Sequence, residues 1–188
     1  AVDGATSVTI TLSQTDRFGI QAIAGLGKAV GSSWLKFPAS FIEDMNSNEI
    51  TPSLASSATA VTYVADTTVP TLVSYTLDMN AAQPALAITF SEPVDTATLD
   101  PTTVRLQNVA ASSGTPFHVL TGGTTVSVAG STVVTITLLS ADVDAIKTQN
   151  EHGNLARSVT NTFLATTAGL IDDMATNELA AIPFGSAG

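Results

Sequence analysis

The chain has no cysteine, which excludes disulfides, iron–sulfur clusters and thiolate zinc sites. Basic residues are scarce: 6 Lys and Arg stand against 16 Asp and Glu, for a net charge of −10. That balance argues against nucleic acid as a partner, because phosphate backbones are bound through clustered Lys and Arg. No run approaches the roughly 18 apolar residues of a spanning helix, so no membrane span is expected. Aromatics are only 5% of the chain. No Asn-x-Ser/Thr sequon occurs, so N-glycans are not expected.

What is present is 188 residues, 44% of them hydrophobic, which is too apolar for a disordered acidic tail. Thr and Val are abundant and favour strands, so an all-β protein is expected. The first residue is Ala1 rather than Met, and the chain is read as processed or as part of something longer.

An internal repeat organises the chain. Residues Val2–Leu12 line up with Val128–Leu138 at an offset of 126. Trp34-Leu35 lines up with Phe163-Leu164, and Phe41–Ile50 with Leu170–Leu179, at an offset of 129. The extra residues fall near Glu151–Asn154, where a loop insertion costs little. Residues 1–66 therefore read as the C-terminal half of one unit. Residues 67–188 read as a nearly complete second unit that lacks its last strand, the counterpart of Ala60–Asp66. Either the sequence is a window onto a longer array, or a neighbouring chain completes each half-unit by strand donation.

Within one unit, Thr71–Leu77 and Ala85–Phe90 alternate and predict strands joined by a turn at Asp78–Pro84. Further strands are predicted at Thr103–Gln107, Pro116–Leu120, Val133–Leu138, Asn161–Leu164, Glu178-Leu179 and Ala60–Val64. Thr121–Thr124 predicts a turn. Ser140 predicts the cap of a short helix that Gly153 ends, with Asp142 and Asp144 near its positive end. Thr15, Asp16 and Gly25 repeat that logic in the first copy. The expected fold is a β-sandwich of immunoglobulin-like (Ig-like) type, in tandem repeats with one short helix each.

Ile88-Thr-Phe-Ser-Glu-Pro-Val94, followed by Asp95 and Leu99-Asp100, resembles the start of bacterial Ig-like domains of the S-layer type. Ile42–Ile50 resembles their closing Asp-x-x-Gly-Asn turn, with Ser47 in place of the usual Gly. The string Asp66–Asn80 resembles tandem repeats of large secreted or cell-surface proteins of algae and other protists, including the mastigoneme (flagellar hair) kind. The resemblance implies a secreted stalk, filament or adhesive surface. The Cys-rich modules common in mastigoneme-type proteins are absent here.

Signals of catalysis are weak. His118 sits in an alternating strand and His152 in a predicted helix-end loop, and neither has a nucleophile motif beside it. Gly-x-Ser-x-Gly is absent. Gly25–Gly31 has the wrong spacing for a dinucleotide loop and reads as a helix end and turn. Trp34 aligns with Phe163 and is expected in the core.

One metal reading competes with a plain turn. Asp44, Asn46 and Asn48 have the first ligand spacing of an EF-hand loop. The match fails at Glu49, where Gly is required, and at Ala55, where Glu is required. Glu43, Asp44, Asn46, Asn48, Glu49 and Asp66 could together offer the hard oxygen ligands of a looser calcium site. The alternative is a polar turn whose Asp and Asn bond their own backbone.

Asp66, Thr67, Thr68, Val69 and Pro70 form a short junction stiffened by proline, and Asp173, Asn177 and Glu178 of the second turn are expected at contacts between units. Composition permits O-glycans on Thr59–Thr68. The reading is a non-catalytic, extracellular or cell-surface repeat segment whose partners are copies of itself. The alternative is an adhesin module binding a glycan or protein.

Overall fold

The computed structural model describes residues 6–59, 62–111 and 116–186. It is mostly antiparallel β-structure, with two α-helices among the described residues. The chain divides into two compact units, Ala1–Asp66 and Thr67–Gly188. No helix among the described residues is long and apolar enough to cross a membrane.

The first unit holds helix α1 (Gln14–Gln21) and a two-stranded antiparallel sheet of β1 (Trp34–Phe37) and β2 (Ser53–Thr59). Ser13 caps α1, and its Oγ accepts the Asp16 N–H at 3.1 Å. Thr15 lies inside the helix. No residue of α1 or β1 is fully buried. Residues 7–13 carry no β-ladder, although their Val-Thr-Ile-Thr-Leu alternation matches the strong strand of the second unit. Of the predicted strand Ala60–Val64, residues 60 and 61 lie outside the described residues and 62–64 carry no strand. The strand lies just before it, in Ser53–Thr59, where Ala and Ser give no alternation to read.

The second unit contains β3 (Leu72–Asp78), β4 (Ala85–Asp95), β5 (Val104–Gln107), β6 (Phe117–Val119), β7 (Thr124–Thr125), β8 (Ser131–Thr137), α2 (Ser140–Gly153), β9 (Phe163–Thr166) and β10 (Asp172–Asp173). One sheet centres on the β4–β8 pair. β7 lies beyond β8, and β3 and β10 lie along the other edge of β4. The other sheet has the order β6-β5-β9.

Alternation decides which side chains enter the core. Leu86, Ile88 and Phe90 of β4 are buried, while Ala85, Ala87 and Thr89 between them are only partly covered. Val134 and Ile136 of β8, Val104 and Leu106 of β5, Leu164 of β9 and Ile146 of α2 complete the centre. Each such side chain contributes about 1.5–3 kcal/mol on burial. Gly123 sits against this core at φ +154°, and a Cβ there would meet Ile136 Cγ2 at 2.6 Å.

Helix α2 differs from expectation at both ends. Its N-cap is Leu139, with no side-chain hydrogen bond, and Ser140 is already helical. Gly153 is the last helical residue, and Asn154 takes the left-handed conformation at φ 61°. Asn reaches that conformation more easily than most side chains do.

Candidate functional site

The two acidic turns singled out in the sequence are built alike. Asp44 Oδ1 accepts the backbone N–H groups of Asn46 at 2.8 Å and Asn48 at 2.9 Å, and Oδ2 accepts Asn48 Nδ2 at 2.9 Å. Asp173 Oδ1 accepts the N–H groups of Ala175 and Asn177, each at 2.7 Å, and Oδ2 accepts Asn177 Nδ2 at 2.8 Å. Ser47 and Thr176 turn the chain at φ 61° and 72°. Asn46 gives Asp44 its backbone N–H, so Ala175 can serve at the matched position without a polar side chain. The Asn48 side chain, then the Asn48 and Asn46 N–H groups, hold the Asp44 carboxyl below its usual range.

The outer acids of each turn face one another. Glu43 opposes Glu49 across an antiparallel bridge, and Asp172 opposes Glu178. Hydrogen bonds from Ile50 N to Ile42 O at 3.1 Å and from Asp44 N to Asn48 O at 2.9 Å flank the first pair. The two glutamates therefore occupy the close, non-hydrogen-bonded position, where like charges repel. Both are exposed.

Asp66 does not complete a carboxylate cluster on this turn. It is half-buried and accepts Gln21 Nε2 at 2.7 Å. No three of the carboxylates of Glu43, Asp44, Glu49 and Asp66 bring their oxygens within 4.8 Å of one another. Beyond Asp66, residues Thr67, Thr68 and Val69 are exposed, whereas Pro70 is buried. Asn177 is half-buried, Glu178 is exposed and Asp173 is buried. Glu92 is also buried, and its carboxylate lies within 4.8 Å of that of Asp173.

A second polar centre sits where β6 meets α2. Asp142 is fully buried. Its carboxylate lies 2.8 Å from His118 Nε2, and it accepts the Thr121 N–H at 3.1 Å and the Thr121 hydroxyl at 3.0 Å. Hydroxyl and imidazole bond the same carboxylate, whereas an acyl-transfer relay places the hydroxyl on the imidazole. The arrangement clamps the turn after β6 to the first turn of α2. Sequence reasoning assigned Asp142 to the helix dipole and missed this partner set. The available signal was alternation, which turns His118 inward between exposed Phe117 and Val119. The side chain of His152 lies outside the described residues.

A cleft of about 470 Å³ opens between β3 and the segment after α2, lined by Tyr75, Leu77, Met79, Arg157, Ser158 and Val159 among others. The Tyr75 hydroxyl donates to Thr162 O at 2.6 Å, and burial pushes its pKa up. No protein-family model, curated protein or solved structure matches the chain.

Proposed function

We propose that this chain is part of a tandem array of Ig-like β-sandwich units that builds a secreted filament, stalk or flagellar-hair-like assembly, without catalysis. The observation that carries the reading is the residue-by-residue likeness of 25–50 to 154–179. Positive φ at Gly25, Gly27 and Ser47 recurs at Asn154, Ala156 and Thr176. Ser32 Oγ accepts the N–H groups of Lys28 and Ala29, and Asn161 Oδ1 accepts those of Arg157 and Ser158. Phe37 pairs with Ser53, and Thr166 with Ile182. The backbone conformation persists where side chains have diverged, even at positions where a non-glycine residue is strained. Common descent of two copies accounts for that better than convergence. In an array of such units, length comes from repetition and each unit contacts its neighbours.

Electron microscopy of the source material tests this. Filaments with an axial repeat of one or a few units are the expected result, and dispersed compact particles would move the reading to an adhesin. The same preparation in chelator tests calcium. Disordering of the filaments would assign an ion to the opposed acid pairs, and unchanged filaments would leave the turns as hydrogen-bonded corners.

A further inference from the structure

We infer that the apolar face of the first unit is a docking surface for a β-segment of the kind that residues 67–126 form in the second. This rests on the repeat reading. The second unit shows what the face lacks. Ile136 and Leu164 are 0% exposed there, while Ile10 and Leu35 at the matched positions are 59% and 57% exposed. Val8, Leu12, Phe41 and Met45 are exposed in the same way, against buried Val134, Leu138, Leu170 and Met174. The apolar side chains are retained at places where they stay exposed in the first unit. Trp34, expected in the core, is 57% exposed, and its indole N–H donates back to Gly31 O at 3.0 Å; its counterpart Phe163 is half-buried.

The second unit also gives the register. Leu86 pairs with Ile136 and Ile88 with Val134, so a β4-like strand would set its Leu opposite Ile10 and its Ile opposite Val8. Leu106 pairs with Leu164 and Val104 with Thr166, so a β5-like strand would set its Leu opposite Leu35 and its Val opposite Phe37. β2 occupies one edge of β1, and this strand takes the other. The occupant is thus a pair of strands with the alternation of Leu86-Ile88-Phe90 and Val104-Leu106, from a unit of the same kind. Its addition would give residues 7–12 the ladder they lack.

Trp34 is the only tryptophan, and because Gln107 pairs with its counterpart Phe163, a β5-like strand would set its Gln opposite Trp34, which makes the indole a reporter of the strand's arrival. The test joins a second copy of residues 67–126 in front of Ala1 of the full chain. Trp34 emission is expected to move to the blue, its quenching by acrylamide to fall severalfold, and the amides of 7–12 to gain protection from hydrogen exchange. Leu86→Asp with Ile88→Asp in the added copy alone should abolish all three. If the extended chain aggregates, a synthetic peptide of residues 84–108 added to the unmodified chain must give a saturable blue shift that a scrambled peptide does not. Unchanged Trp34 emission and unprotected 7–12 amides would overturn the inference. So would an unmodified chain that sediments as a dimer with Trp34 already shielded, since a second copy would then be the occupant. A closed face without filaments in the source material would retain this inference and remove the filament reading. Filaments with an open face would do the reverse.

Discussion

Val-Thr-Ile-Thr-Leu occurs twice in this chain, at 8–12 and at 134–138, and the two copies have different structures. The second is largely in strand β8, paired with β4 and β7, and buries all three of its aliphatic side chains. The first carries no ladder and exposes all three. Five identical residues cannot differ in intrinsic preference, so the difference is made by what lies beside them. A strand requires a neighbour for its N–H and C=O groups and a second layer for its apolar face. The second unit provides both, and among the described residues the first provides neither to 8–12.

The largest test of that contrast is truncation at the matched isoleucines. Ile136→Ala should destabilise the second unit by about 2–5 kcal/mol, because a packed core closes poorly over a cavity. Ile10→Ala should change stability by no more than about 0.5 kcal/mol, as an exposed position does. Urea melts of the full chain, followed by amide exchange in β4 and by Trp34 fluorescence, separate the two. Equal losses would break the comparison.

The acidic turns give the next step. Asp173→Ala removes a buried acceptor from three half-buried N–H donors and should cost about 1–3 kcal/mol in the second unit. Asp44→Ala removes the same three bonds from an exposed turn, where water replaces the carboxylate, so its melt should move much less. A smaller effect is expected at the β6–α2 clamp. His118→Ala leaves the Asp142 carboxylate with Thr121 as its remaining donor in this network, at a cost of about 1–2 kcal/mol. The matched Asp16 only exchanges bonds with Ser13, so Ser13→Ala should cost about 1 kcal/mol or less.

The same contrast sets how far the sequence could be read. Strands with neighbours on both sides, such as β4 and β8, were legible from alternation, and the antiparallel β-rich class followed from them. Ser53–Thr59 was not legible, because its Ala and Ser carry no pattern and its pairing with β1 is non-local. Residues 7–12 carry the alternation of β8 without a ladder, so the pattern alone does not make the strand. The hydrogen bonds of Asp44 lay within four residues and were foreseeable as a polar turn. The bonds of Asp142 to Thr121 and His118 span 21 and 24 residues, and no local pattern announces them. Ser140 is not the cap because the helix starts one residue earlier: Leu139 O accepts the Val143 N–H at 3.0 Å, which places Ser140 inside the first turn.

The smallest effect sharpens the chemistry of the turns. The folded-state pKa of Asp44 lies below its ordinary value of 3.8, with the Asn48 side chain as the largest cause. A depressed carboxylate pKa means that the charged form is the one the turn stabilises. The contribution is complete above the unfolded value and is lost as pH falls through the folded one. An NMR titration of the carboxyl carbon should therefore place the Asp44 midpoint below 3.8. Asn48→Ala should raise that midpoint clearly, because it removes the Nδ2 donor. Asn46→Ala should leave it nearly unchanged, because Asn46 contributes only a backbone N–H that alanine retains. Equal shifts from the two variants would mean that net polarity, and not the specific Asn48 bond, holds the carboxylate charged.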